Sequence, residues 1–263
     1  MIDRRSLLDV AIDASRAAAA IIRARAADAR SIPWEVKAHS DFVTEVDTAA
    51  EHAIRDIIHA RAPHATVLGE ELSPAADIGG VTFVVDPLDG TTNFLHGVPV
   101  YAVSIAVAVD GVVESAVVLD VPNDVLYTAT RGGGARRDGE PISVSSIADP
   151  ARALIGTGFP FKHLEHLDRY QRQFAAIVRA TSGIRRLGAA ALDLASVAVG
   201  AFDGFWELNL APWDIAAGIL LVREAGGIVT DLEGTQVTGL THTPLVAASR
   251  VMHDWLSSTL RSG

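Results

Sequence analysis

Asp86 and Asp89 stand three residues apart at the end of an apolar, β-branched run, Val81-Thr82-Phe83-Val84-Val85, and Gly90-Thr91-Thr92 follows them. Bounded by Gly79-Gly80 and Pro87, the run reads as a buried strand. Pro87 fixes φ, which predicts that the strand stops there and the chain turns. Both carboxylates would then share one tight turn, where they can hold a common cation. Gly90-Thr91-Thr92 reads as the start of a short helix, whose backbone donors and partial positive charge suit an anion such as phosphate. Hard oxygen ligands beside an anion-binding turn are the layout of metal-assisted phosphoryl chemistry. An isolated Asp-x-x-Asp is more often a polar turn in which an Asp caps a helix. The chemical reading therefore needs further donors elsewhere in the chain.

The elements that must carry such donors can be read in order. Apolar residues at Leu7, Val10, Ala11, Ala14, Ala17, Ala18, Ile21 and Ile22 keep the spacing of an amphipathic helix over residues 5–27. Asp9, Asp13, Arg16 and Arg23 interrupt that stretch, so Arg4-Arg5 is not expected to open a secretion signal. No run is long enough to span a membrane, and the protein is expected in the cytoplasm. Residues 34–37 suggest a strand, and a second helix runs from the Asp41–Asp47 segment to about Ala62, closed by Pro63. Thr44 with Asp47 three residues on fits a helix start, where an acid also complements the helix dipole. Thr66-Val67-Leu68 is a short strand ending in Gly69-Glu70-Glu71. Adjacent acids at such a place usually mark a solvated loop. Residues 101–109, 112–120 and 125–130 read as successive strands joined by Asp110-Gly111 and Pro122-Asn123 turns. Gly132-Gly133-Gly134 lacks the Lys-Ser/Thr ending of a phosphate-binding loop and reads as a bend between strands.

From about residue 147 the rhythm changes to alternating strands and helices, which argues for an α/β layer with a mainly parallel sheet. Two halves are thus expected, 1–146 and 147–263, in one compact unit, since no flexible linker separates them. In the second half Pro212-Trp213-Asp214 opens a helix that is apolar nearly all round to Val222 and ends at Gly226-Gly227. A carboxylate on the first turn of a buried helix needs a partner, and no Lys or Arg lies nearby in sequence. A cation in the site would satisfy Asp214.

Composition narrows the classes. The chain has 263 residues, 49% hydrophobic and 21% charged, with a net charge of −10 and no basic run, so nucleic acid is not an electrostatic partner. It contains no cysteine, which removes disulfides, thiolate metal sites and cysteine nucleophiles. None of the nine histidines forms a credible ligand pair, and His96 reads as a rim residue.

The string Asp86-Pro87-Leu88-Asp89-Gly90-Thr91-Thr92-Asn93-Phe94 resembles the signature of the inositol monophosphatase family of magnesium-dependent, lithium-sensitive sugar and polyol phosphatases. The Asp41–Asp47 segment, Gly69-Glu70-Glu71, and Pro-Trp-Asp with Glu224-Ala225-Gly226-Gly227 occur in that family's order. The resemblance implies a layered α-β-α-β-α sandwich, an α/β (α+β) fold, and two or three Mg²⁺ ions held by Glu70, Asp86, the Leu88 carbonyl, Asp89 and Asp214. It gives Glu70 and Thr91 the attacking water, Asp47 a hydrogen bond to Thr91, and the N–H groups of Gly90 and Thr91 the phosphate. It makes Glu207, Asp89, Asp214 and the Gly188-Ala189-Ala190 backbone contacts for the polyol. Ala189 stands where many members carry Ser or Thr, so only its backbone is expected to contribute. For Asp47 the helix-start and catalytic roles both remain open. The resemblance implies a homodimer and a small phosphorylated polyol or sugar as substrate, with inositol monophosphate the first choice. Fructose 1,6-bisphosphate, histidinol phosphate and 3′-phosphoadenosine 5′-phosphate are the alternatives. A regulatory binding protein that has lost catalysis is the rival of a different class.

Overall fold

A computed structural model describes residues 4–38, 41–75 and 78–262. The first half opens with α1 (Arg4–Ala26), a hairpin of β1 (Trp34–Ala38) and β2 (Asp41–Thr44), and α2 (Glu45–Arg61). It continues through β3 (Thr66–Gly69), β4 (Val81–Asp89), the short α3 (Thr91–His96), β5 (Ala102–Val109), β6 (Val112–Asp120), β7 (Val125–Thr130), β8 (Gly134–Arg137) and β9 (Glu140–Pro141). Strands β3 to β9 form a seven-stranded sheet in sequence order, parallel at β3–β4 and antiparallel beyond.

The second half runs β10 (Leu154–Thr157), α4 (Leu167–Ala180), β11 (Gly183–Arg185), α5 (Ala190–Ala198), β12 (Gly204–Leu210), α6 (Pro212–Glu224), β13 (Ile228–Thr230), β14 (Thr243–Ala248) and α7 (His253–Ser262). Its sheet has the order β11-β10-β12-β14-β13. The expectation of a mainly parallel sheet holds for β11-β10-β12 and fails for β14, which runs antiparallel to both β12 and β13. No helix separates β13 from β14, and without a crossover the chain returns in the opposite direction.

Side-chain alternation along the strands builds the layers. Phe83 and Val85 of β4, Val103, Ile105 and Val107 of β5, and Val117 of β6 pack under α1 and α2 with Ala14, Ala18, Ile22, Ile54 and Ile58. Their neighbours Val84, Ala106, Ala108, Ala116 and Val118 face the other way, toward α5 and α6. Small residues on that face let two apolar helices lie close to the sheet. The smaller sheet places Phe205, Leu245 and Ala247 against the same helices and Trp206, Val246 and Ala248 against α4 and α7. The result is the α-β-α-β-α sandwich. Each fully buried side chain such as Phe83 or Trp206 contributes on the order of 2–3 kcal/mol.

Pro87 does not end its strand. β4 pairs with β5 at Asp86 opposite Ser104 and again at Asp89 opposite Ala102, so one extra residue is accommodated on β4. This is a β-bulge, and it tolerates Pro because a bulged position needs no ladder hydrogen bond. On a regular strand, residues three apart face opposite sides; the extra residue allows Asp86 and Asp89 to share one.

Candidate active site

The bulge, the carboxyl ends of β10, β11 and β12, and the first turns of α3, α5 and α6 surround one cavity of about 360 Å³. Glu70, Asp86, Leu88, Asp89, Gly90, Thr91, Gly188, Ala189, Ala190, Glu207 and Asp214 all line it. Every site residue expected from the sequence is therefore brought to one place except Asp47, which lies behind the wall.

Asp47 caps α2 and also reaches the Thr91 hydroxyl. One carboxyl oxygen accepts the Thr44 N–H at 2.9 Å and the Thr44 hydroxyl, completing the capping arrangement at the start of α2. The other faces the Thr91 hydroxyl at 2.8 Å. That hydroxyl, with one proton to donate, also lies 3.0 Å from the Leu88 carbonyl. Burial raises the Asp47 pKa, and the Thr44 and Thr91 hydrogen bonds oppose the rise.

β3 lies parallel to β4 with Gly69 beside Val85, and the Glu70 N–H donates to the Val85 carbonyl at 3.2 Å. Glu70 is thereby set next to Asp86. Glu71 does not line the cavity. Gly90 takes φ +94°, and a Cβ there would meet the Val100 carbonyl at 2.9 Å, so only glycine fits the step from bulge to helix. Asp89 joins the halves by accepting the Ala191 N–H at 2.7 Å, and Asn93 does so by donating to the Leu187 carbonyl at 2.9 Å. Asp214 accepts the Ala211 N–H at 2.7 Å, which fixes it on the first turn of α6.

The charges on this cavity are in conflict. Burial, then Glu70, Asp89 and Asp214, push the Asp86 carboxyl well above the usual range. Burial and Asp214 push Asp89 up to about 7 and Glu207 to about 8. Among the described residues no three His, Asp or Glu side chains are gathered tightly enough to grip a metal ion as they stand. The donor set nevertheless fits one: four carboxylates and the Leu88 carbonyl, all hard oxygens, around an excess of negative charge. A divalent cation would relieve the repulsion that raises these pKa values.

That conflict has a measurable sign. A carboxyl whose folded pKa is raised stabilises the fold at low pH and loses that contribution as pH climbs through the folded value. For Asp89 the window runs from an ordinary carboxyl value of 3.8 to about 7, and for Glu207 from 4.5 to about 8. The melting temperature in EDTA is expected to fall between pH 5 and pH 8.5, and saturating Mg²⁺ to cancel most of the fall. Thermal scans across that range check it; a flat profile in EDTA would contradict it.

Sequence reasoning missed part of the wall. Arg186, Lys162, Asp193, Gly158 and Phe42 also line the cavity. The view that Asp214 lies far from any Arg or Lys holds only along the chain. Arg186 lowers the pKa values of Asp89 and Glu207, and Lys162 that of Glu207, so folding brings positive charge to this cluster. The Arg186 guanidinium sits 5.4 Å and 5.3 Å from the ring centres of Phe159 and Phe161. Asp193 is 1% exposed, with one carboxyl oxygen lacking a hydrogen-bond partner; burial, then Glu207 and Asp89, raise its pKa. The signal that could have found Gly158 and Arg186 is topological: sites in open α/β sheets gather beyond the carboxyl ends of parallel strands. The glycine-rich bend, by contrast, is committed elsewhere. Gly132 and Gly134 each donate their N–H to the Glu224 carboxylate at 2.9 Å.

A model of the inositol monophosphatase family matches residues 3–263. The chain belongs to that family. The Nus factor SuhB of Pseudomonas aeruginosa is 45% identical over 234 residues, covering 87% of this chain and 86% of the relative. The inositol-1-monophosphatase of Rhizobium meliloti is 41% identical over 232 residues, covering 88% and 87%. The crystal structure of the extragenic suppressor protein suhB from Bartonella henselae superposes with a TM-score of 0.90 at 37% identity, covering 98% of this chain and 99% of that one. Family membership agrees with the sandwich architecture. Among the described residues, no helix is long and apolar enough to cross a membrane.

Proposed function

We propose that this inositol monophosphatase family member is a Mg²⁺-dependent phosphomonoesterase that hydrolyses inositol monophosphate. The observation that carries the reading is the convergence of Glu70, Asp86, Asp89, Asp214 and the Leu88 carbonyl on one cavity with the Gly90–Thr91 turn. Bound Mg²⁺ supplies a water of lowered pKa and neutralises charge on phosphate and leaving oxygen. Glu70, Asp86, Leu88, Asp89 and Asp214 would hold two or three such ions. Thr91, oriented by Asp47, and Glu70 direct the attacking water in line with the phosphorus. The N–H groups of Gly90 and Thr91 receive phosphate oxygens. Glu207 and the Gly188–Ala190 backbone hold ring hydroxyls on the far side. The same reading takes the enzyme as a cytoplasmic homodimer.

A regulatory role without catalysis is the second reading, prompted by the name Nus factor that the P. aeruginosa relative carries. The retention of every expected ligand on one cavity favours the enzyme. Phosphate release from inositol 1-phosphate, fructose 1,6-bisphosphate, histidinol phosphate and 3′-phosphoadenosine 5′-phosphate tests the assignment. Inositol 1-phosphate is expected to be turned over fastest, with inhibition by lithium. Preference for another substrate would move the assignment within the family, and folded protein silent on all four would favour the regulatory reading.

A further inference from the structure

Glu51 lies one turn after Asp47 on the same face of α2, is fully buried, and touches neither cavity nor solvent. A buried carboxylate is costly unless it is paired and hydrogen-bonded. Here it accepts the Glu71 N–H at 2.8 Å and the Leu72 N–H at 3.2 Å, and Arg55 lies 3.6 Å away. Arg55 also donates to the Ser73 hydroxyl at 2.8 Å, which in turn donates to the Val67 carbonyl at 2.7 Å. The chain at Gly69 lies directly on the Glu51 carboxylate: a Cβ there would sit 2.2 Å from Oε1. Glu51 therefore holds the turn that carries Glu70 from both sides, by hydrogen bonds after it and by contact before it.

We infer that Glu51 is a positioning residue that sets Glu70 at the metal site, so that α2 fixes Thr91 through Asp47 and Glu70 through Glu51. Both residues assigned to the attacking water are thus referenced to adjacent turns of one helix. The network needs a carboxylate: its two oxygens accept two N–H groups, whereas Gln would offer one acceptor and a donor facing backbone N–H. Outer-shell partners of metal ligands typically change metal affinity or activity ten- to a hundredfold.

The inference rests on the metal site proposed above, and calorimetric titration of the full-length chain with Mg²⁺ alone separates the two. Wild type is expected to bind Mg²⁺. Glu51→Gln is expected to weaken that binding about tenfold or more and to lower kcat with KM for inositol 1-phosphate nearly unchanged. Gly69→Ala presses on the Glu51 carboxylate from the Gly69 side while leaving its charge in place, and is expected to weaken Mg²⁺ binding similarly. Its φ is not in the left-handed region, so the effect is steric contact with Glu51. Lowered melting temperature in EDTA with unchanged Mg²⁺ affinity in both variants would make Glu51 a purely structural residue and overturn the inference while the metal site stands. Absence of Mg²⁺ binding by wild type would overturn the site and the inference together.

Discussion

Asp89→Asn is expected to lower kcat for phosphate release by about 10³-fold or more, about 4 kcal/mol of transition-state stabilisation, without lowering stability in EDTA. The Asn side chain can keep the Ala191 hydrogen bond through its remaining oxygen, since the wild-type bond uses a single carboxyl oxygen at 2.7 Å. Its amide NH₂ then faces the cavity, where a cation finds a donor in place of an acceptor. In the metal-free wild type, burial and Asp214 raise the Asp89 pKa to about 7, so its charge opposes folding at neutral and higher pH. The neutral side chain removes that opposition, and the melting temperature in EDTA at pH 8 is expected to rise. Mg²⁺ would then stabilise the variant much less than wild type. Function lost while stability is gained is the signature of a strained ligand site. Equal melting-temperature losses in EDTA and in Mg²⁺ would instead indicate a structural Asp89.

The second large effect separates the water from the metal. Thr91→Ala removes the hydroxyl that lies between Asp47 and the Leu88 carbonyl and leaves every proposed metal ligand in place. Its kcat is expected to fall about 10²–10³-fold, the usual contribution of a positioned proton-transfer group. KM and Mg²⁺ affinity are expected to stay near the wild-type values, because the Gly90 and Thr91 N–H groups and the carboxylates are untouched. Asp47 would lose one of its hydrogen-bond partners but keep Thr44, so the start of α2 survives. Steady-state kinetics across a Mg²⁺ series distinguish the cases. A loss of Mg²⁺ affinity like that of Asp89→Asn would place Thr91 in the metal site.

Much of this site can be read along the chain because its donors sit at element ends that local chemistry marks. Thr44 and Asp47 announce a helix start, Pro212 and Asp214 another, and the Asp86–Thr92 string combines strand, turn and helix in seven residues. The parts that escaped depend on partners distant in sequence. Pro87 reads as a strand end because only the β5 register shows that the strand continues past it as a bulge. Arg186 and Gly158 reach the cavity only once β10, β11 and β12 lie side by side. The antiparallel entry of β14 is likewise invisible to a count of alternating helices and strands. Glu51 gives no local signal, since an acid in a helix usually faces solvent; its burial follows from the Gly69–Ser73 turn that folds over it.

The most direct test of a metal-dependent phosphatase site is a Mg²⁺ titration of phosphate release from inositol 1-phosphate, starting from EDTA-stripped protein and run beside Asp89→Asn. The account predicts negligible release without Mg²⁺, a saturable rise with it in the wild type, and almost none in the variant. Release that is equally fast in EDTA, or retained by Asp89→Asn at the wild-type rate, would contradict it.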